Sequence, residues 1–273
     1  MNEKSQVRSV MQKVNGLDFY CELRGKGATI ALIPSGEGDC GSFDKVADIL
    51  ANEFTVFTLD MRGMSRSERP ANLGPMTAED LASDVAELIK AFDLAPASVY
   101  GCSSGGQCAL SIGADYPEVC RNIMVHEAAL QNDTPPGAGT EFFKRLVNRL
   151  IEIAGSKNAA MVAQRPNNIQ DPQAFAALSP EYHERISKNG EVWVDFVLGY
   201  ADQRTYSAKE LANMPPLVFS VGLFSMAWLV EANLQTARRA NAEIVWLPCK
   251  HFPQVSIPDL LAEHIRKYTK RYL

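Results

Sequence analysis

The stretch SVYGCSSGGQ, Ser98 to Gln107, decides how this chain is read. It passes from a β-rich apolar segment through Gly101-x-Ser103-x-Gly105 into a segment of helical character. A serine at the centre of such a junction sits on a sharp bend with strained backbone angles, so its neighbours must carry almost no side chain. Its hydroxyl then stands clear at the carboxyl edge of a sheet. The helix that starts there offers N–H groups and a positive dipole end. A bare Gly-x-Ser-x-Gly is common by chance, but in this context it marks Ser103 as a nucleophile. Ser104 lies one place past the centre and contributes its backbone N–H rather than its hydroxyl.

Strands and helices alternate on both sides of this junction. Met11–Val14 and Leu17–Leu23 alternate around Asn15-Gly16, a strong hairpin cue. Thr29–Ile33 stops at Pro34 and meets the loop Ser35-Gly36-Glu37-Gly38. A helix is expected near Ser42–Asn52, a strand at Phe54–Leu59, and a helix from a Thr77-x-x-Asp80 capping box to about Phe92. After the serine come a helix to about Ala114 and a strand at Asn122–His126. Pro216–Val221, a helix through about Ala240, strand Glu243–Leu247 and a last helix from about Pro258 close the chain. Parallel crossovers put helices on both faces of such a sheet, which is the α/β class and, with the serine junction, the α/β-hydrolase fold.

Residues 131–214 break the rhythm. They read as short helices (Thr140–Ala154, Asn158–Ala163, Asp171–Leu178, Pro180–Lys188, Glu191–Tyr200) without a strand. The expected organisation is a core of residues 1–130 and 215–273 with a helical cap of residues 131–214, since long insertions of this kind usually serve a site.

Composition narrows the classes. The 273 residues carry a formal charge of −5, with 46% hydrophobic and 22% charged residues, as in an ordinary globular domain. The mild acidity argues against nucleic acid or an anionic membrane as partner. No apolar run reaches the roughly 20 residues of a membrane span, and MNEKSQVRSVMQK lacks a secretory apolar stretch, so the cytoplasm is expected. The six cysteines, 21, 40, 102, 108, 120 and 249, form no C-x-x-C pair. No metal, cofactor or disulfide framework is expected, only a small-molecule substrate; the oligomeric state stays open.

A serine nucleophile needs a base and an orienting acid. Of the four histidines, His251 follows strand Glu243–Leu247 by a short loop and precedes the last helix, where this fold presents its base. His264 reads as a surface residue of that helix, and His126 and His183 read as satisfied, partly buried imidazoles. The commonest place for the acid, the loop after Pro216–Val221, reads Gly222-Leu223-Phe224-Ser225-Met226-Ala227-Trp228 and has no carboxylate before Glu231. Glu127, at the end of strand Asn122–His126 and the same sheet edge, is the better candidate. Strand alternation should turn His126 away from it. An oxyanion hole needs two N–H donors. Ser104 supplies one and Gly36 the other, with Ser35 as the alternative, because Pro34 has none. Asp60–Ser67 reads as a bracing turn.

Several stretches together, Asp60–Ser67 (DMRGMSRS), Gly101–Gly105 (GCSSG), Val125–Glu127 (VHE), Lys188–Trp193 (KNGEVW) and Leu247–Asp259 (LPCKHFPQVSIPD), resemble the zearalenone lactonases. These are α/β-hydrolases that open resorcylic acid lactones, and the resemblance spans nearly the whole chain. It implies a Ser–Glu–His triad of Ser103, Glu127 and His251, in agreement with the residues themselves, and a lactone-contacting tryptophan at Trp193. The family carries an acidic residue where this chain has Ser35, beside the substrate. The segment Val194–Tyr200 and the loop Leu223–Trp228 also differ, which leaves the chemistry intact and the substrate open. A general carboxylesterase, a hydroxynitrile lyase or a slow-turnover ligand receptor on the same fold remain alternatives.

Overall fold

A hairpin opens the sheet: β1 (Arg8–Val14) and β2 (Leu17–Arg24) meet at Asn15 and Gly16, both at positive φ, 48° and 82°. That conformation matches the twist of the flanking strands, and Asn-Gly adopts it readily. The computed structural model describes residues 6–74, 76–130, 133, 140–198 and 204–273. Six further strands follow: β3 (Thr29–Ile33), β4 (Thr55–Leu59), β5 (Ala97–Cys102), β6 (Cys120–His126), β7 (Leu217–Gly222) and β8 (Glu243–Leu247). They form one sheet in the order β1-β2-β4-β3-β5-β6-β7-β8. Pairing is antiparallel at β1–β2 and β2–β4 and parallel from β4 onward.

The central strands β3 and β5 are buried at every position, as strands covered on both faces must be. Their alternation sorts the core. Ile30, Leu32 and Tyr100 pack with α1 (Asp44–Leu50) and α12 (Pro258–Arg271). Ala31, Ile33 and Val99 face α2 (Ala78–Ala91) and α3 (Ser104–Asp115), with α10 (Ala227–Arg239) farther along the same face. Thr77 and Asp80 cap α2 reciprocally. Asp60, fully buried, accepts from the Cys40 and Arg66 N–H groups and from the Arg66 guanidinium, so the turn after β4 braces the loop after β3.

Between β6 and β7 lie α4 (Thr140–Ala154), α5 (Lys157–Asn168), α6 (Pro172–Ala176), α7 (Pro180–Ser187), α8 (Gly190–Leu198) and α9 (Ala208–Asn213). Among the described residues this segment holds no strand. Residues 131, 132 and 134–139, at the start of the expected cap, and 199–203, with the end of the helix expected at 191–200, lie outside the described residues. Two helices carry too few turns to show a period in the sequence. These are α9, which Ser207 and Glu210 cap reciprocally, and α11 (Pro253–Ser256). Among the described residues, no helix is long and apolar enough to cross a membrane.

His264 departs from its expected surface position. It shares the buried stripe of α12 with Leu261, Ile265 and Tyr268, lying three residues after the first and four before the last, and its ring lies 4.9 Å from that of Tyr268. Burial lowers its pKa from 6.5 to about 4, helped by repulsion from His126 and Lys267. The unfolded chain therefore takes up a proton between pH 6.5 and 4 that the folded chain refuses. Stability must fall as pH falls through that window, by up to roughly 3 kcal/mol for such a shift. Urea midpoints measured from pH 7 down to pH 4 should drop less steeply for His264→Phe than for the unsubstituted protein. Identical slopes would place His264 in water.

Candidate active site

β5 ends at Cys102 and α3 begins at Ser104, leaving Ser103 on the bend between them at φ 57° and ψ −119°. The motif glycines make that bend possible. A Cβ on Gly101 would lie 2.0 Å from the Gly105 carbonyl oxygen, and one on Gly105 would lie 2.4 Å from that of Pro34. The first closure shapes the bend, and the second presses the end of β3 against the start of α3. The Ser103 N–H donates to the His126 carbonyl at 3.0 Å, and its own carbonyl accepts from Gln107 at 3.1 Å and Ala129 at 3.3 Å. The strained residue is thus held by its backbone.

His251 stands between β8 and α11 and is 5% exposed. Its Nδ1 lies 2.7 Å from Glu127 Oε2. Its carbonyl accepts from the Cys102 thiol at 3.3 Å, which seats the histidine against the residue before Ser103. Ser103 Oγ makes no hydrogen bond among the described residues; contacts of this kind often tighten only with substrate in place.

Glu127 lies one residue past β6, at φ 43° and fully buried. Its backbone N–H donates to the Ser220 carbonyl on β7. Oε1 accepts from the Gly222 N–H at 2.7 Å, and Oε2 accepts from the Ser225 hydroxyl at 2.6 Å as well as facing His251. Burial alone would raise its pKa. Hydrogen bonds from His251 and Ser225, with the charges of two imidazoles, more than offset burial and bring it to about 2. The loop that lacks a carboxylate therefore supplies two donors to one arriving from the neighbouring strand. Sequence reading missed Gly222 and Ser225 in that role; a hydroxyl in a loop vacated by its usual acid was the available signal. Glu231 accepts from Gln235 one turn further along α10.

The expectation for His126 fails at this point. Alternation ends with β6, and the left-handed backbone of Glu127 brings its carboxylate to 3.9 Å from His126 Nε2. His126 is also fully rather than partly buried, and that nitrogen has no hydrogen-bond partner. His183 is half-buried on α7, with its ring edge-on to Phe175 at 4.8 Å.

Gly36 lies beside two other expected site residues. A Cβ there would come within 2.5 Å of the Trp193 indole and 3.5 Å of Ser104 Oγ. The tryptophan ring leaves no room there for a side chain. Trp193, on α8, is 6% exposed. Ser35 is buried, its carbonyl closing a turn with the Gly38 N–H and its hydroxyl accepting from Gln254 at 3.4 Å.

Asn189, also missed, ties these parts together. It is fully buried; Nδ2 donates to the Glu37 carbonyl at 2.7 Å and Ser65 Oγ at 2.8 Å, while Oδ1 accepts from the Ser65 N–H at 2.9 Å and Arg69 at 3.1 Å. Its carbonyl takes the Trp193 N–H at 2.9 Å. All four side-chain hydrogen-bonding positions are filled, so the start of α8 is fixed to the loop that carries Gly36. Arg185 on α7 adds a two-pronged pair with Asp39, at 2.6 and 3.0 Å.

Residues 29–197 match the family model described as the alpha/beta hydrolase fold. A zearalenone hydrolase from Bionectria ochroleuca is 33% identical over 98% of this chain and 100% of its own. One from Cladophialophora bantiana is 32% identical over 98% of each. Among solved structures, the enol-lactonase from Burkholderia xenovorans LB400 superposes with a TM-score of 0.78 over 96% of this chain and 100% of that one; at 19% identity, it bears on the fold alone.

Proposed function

The chain belongs to the α/β-hydrolase family, among the relatives of the zearalenone hydrolases, and on that premise we propose that it opens a macrocyclic lactone, zearalenone or a related resorcylic acid lactone, through an acyl-enzyme. The contact that carries this reading is His251 Nδ1 to Glu127 Oε2 at 2.7 Å, beside a serine held at φ 57°. Ser103 attacks the lactone carbonyl, and His251 takes its proton. Glu127, ionised and held by Gly222 and Ser225, stabilises the imidazolium and keeps the ring in its working tautomer. The backbone N–H groups of Gly36 and Ser104 receive the developing negative charge. His251 then protonates the leaving alkoxide, the aliphatic alcohol oxygen of the ring ester, and the aryl acyl group stays on Ser103. Water, activated by the same imidazole, releases the ring-opened acid.

Residues 131–214 act in this reading as a cap over the core of 1–130 and 215–273. Trp193 supplies an apolar wall with a polar N–H, supported by its contact with Gly36. Ser35 borders the same loop as a substrate contact. Six free, buried cysteines support a reducing compartment, the cytoplasm.

Purified protein offered zearalenone and a short aryl ester should turn over the lactone with the higher kcat/KM, giving a product heavier by one water. Trp193→Ala should weaken lactone turnover more than ester turnover. A preference for the aryl ester, with Trp193→Ala affecting both alike, would make the chain a general carboxylesterase.

A further inference from the structure

Two buried imidazoles have no part in this chemistry, and one of them approaches its acid. His126 closes β6, with Nδ1 at 2.9 Å from Ser220 Oγ. Its Nε2 lies 3.9 Å from Glu127 Oε2, the oxygen that also meets His251 and Ser225. The Lys250 carbonyl faces the ring without closing a hydrogen bond.

These contacts decide the tautomer. With the proton on Nδ1, that nitrogen would donate to Ser220, whose hydroxyl would turn to the Val125 carbonyl at 3.3 Å. Nε2 would then present a lone pair to a carboxylate in a dry interior, where repulsion is weakly screened. With the Ser220 hydroxyl donating to Nδ1, over the shorter of its two contacts, the proton sits on Nε2. The N–H dipole then faces negative charge. The partner of one ring nitrogen sets the state of the other.

The ring acts uncharged. Burial lowers its pKa to about 4, Glu127 opposing and His251 assisting. The other titratable groups nearby are His264 on α12, whose charge would repel its own, and Tyr100, Cys102 and Cys249, which burial keeps protonated around the same carboxylate. Neutrality suits the position. A second cation here would compete with His251 for the Glu127 charge at the moment the imidazolium forms.

We propose that His126 is a positioning residue of this reaction: anchored on Ser220, it turns an Nε2–H toward Glu127 Oε2 and holds that carboxylate ionised and fixed for His251. The inference rests on the Ser103–His251–Glu127 reading above.

Long-range nitrogen–proton correlation spectra of the histidine-labelled, unsubstituted enzyme near neutral pH should show His126 protonated on Nε2; protonation on Nδ1 overturns the proposal. Aryl ester hydrolysis by His126→Phe should lose kcat on the order of tenfold, the scale at which supporting groups act, with KM little changed. The low-field resonance of the His251 Nδ1–H should move. His126→Gln, which can place an N–H where the ring had one, should recover most of the rate and restore the resonance. Full activity in His126→Phe, or equal loss in both variants with the resonance unmoved, would reduce His126 to packing. If His126→Phe does not fold, the tautomer measurement decides alone. Glu127→Gln is assayed alongside; full activity there would remove the triad reading and this inference with it.

Discussion

Replacing Ser103 by alanine should lower kcat by something on the order of a millionfold, the scale seen when a hydrolase loses its nucleophile. The size follows from what disappears. Without Oγ there is no acyl-enzyme, and His251 has only water to activate at a position shaped for a bound hydroxyl. The residual rate would come from the N–H groups of Gly36 and Ser104 and from binding, which act on any tetrahedral intermediate. Stability should change little, because Ser103 is held through its backbone: the N–H to His126 and the carbonyl to Gln107 and Ala129 survive the substitution. The φ of 57° remains strained for alanine as for serine. Single-turnover kinetics with a chromogenic ester check the rate, and the urea midpoints of the two proteins check the stability. A variant within tenfold of the unsubstituted rate, free of contaminating esterase, would dismiss Ser103 as nucleophile.

What the chain disclosed before folding depended on how far apart the interacting residues lie. β3 and β8 are bounded as expected, at Thr29–Ile33 and Glu243–Leu247, because short apolar runs with Pro34 or Pro248 beyond them carry their own limits. The serine bend was legible for the same reason, since Gly101 and Gly105 act on a residue two places away. Glu127 could be reached by elimination, from a loop without its usual acid, and by the resemblance of Val125–Glu127 to the lactonases. The groups that hold it could not: Gly222 and Ser225 lie 95 and 98 positions along the chain. Asn189 joins Glu37 across 152 positions, and nothing local marks a buried asparagine that fills all its hydrogen bonds. His264 was misread although the signal was local. Its place in the stripe of Leu261, Ile265 and Tyr268 outweighs the polarity of an imidazole.

Removing the acid separates the two candidate carboxylates. Glu127→Ala should lower kcat by roughly ten-thousandfold, the scale for loss of the orienting acid in such a triad. Glu231→Ala should stay within about twofold, as expected of a helix position outside the site. The asymmetry rests on charge at a specific moment. In the proposed mechanism His251 accepts the Ser103 proton and becomes a buried imidazolium, and Glu127 Oε2, already 2.7 Å away, is the anion that meets it. Its pKa of about 2 keeps it ionised wherever the imidazole can act as a base. Alanine also strands the buried Gly222 N–H, at a cost on the order of 1–3 kcal/mol, and frees the half-buried Ser225 hydroxyl to turn to water, so a fall in stability will accompany the fall in rate. Glu127→Gln divides the two effects: it retains the bulk and an oxygen for one donor but carries no charge. If charge is what matters, Glu127→Gln recovers stability while kcat remains depressed at all pH values. Recovery of kcat along with stability would make Glu127 a spacer, and a collapse confined to Glu231→Ala would move the acid onto α10.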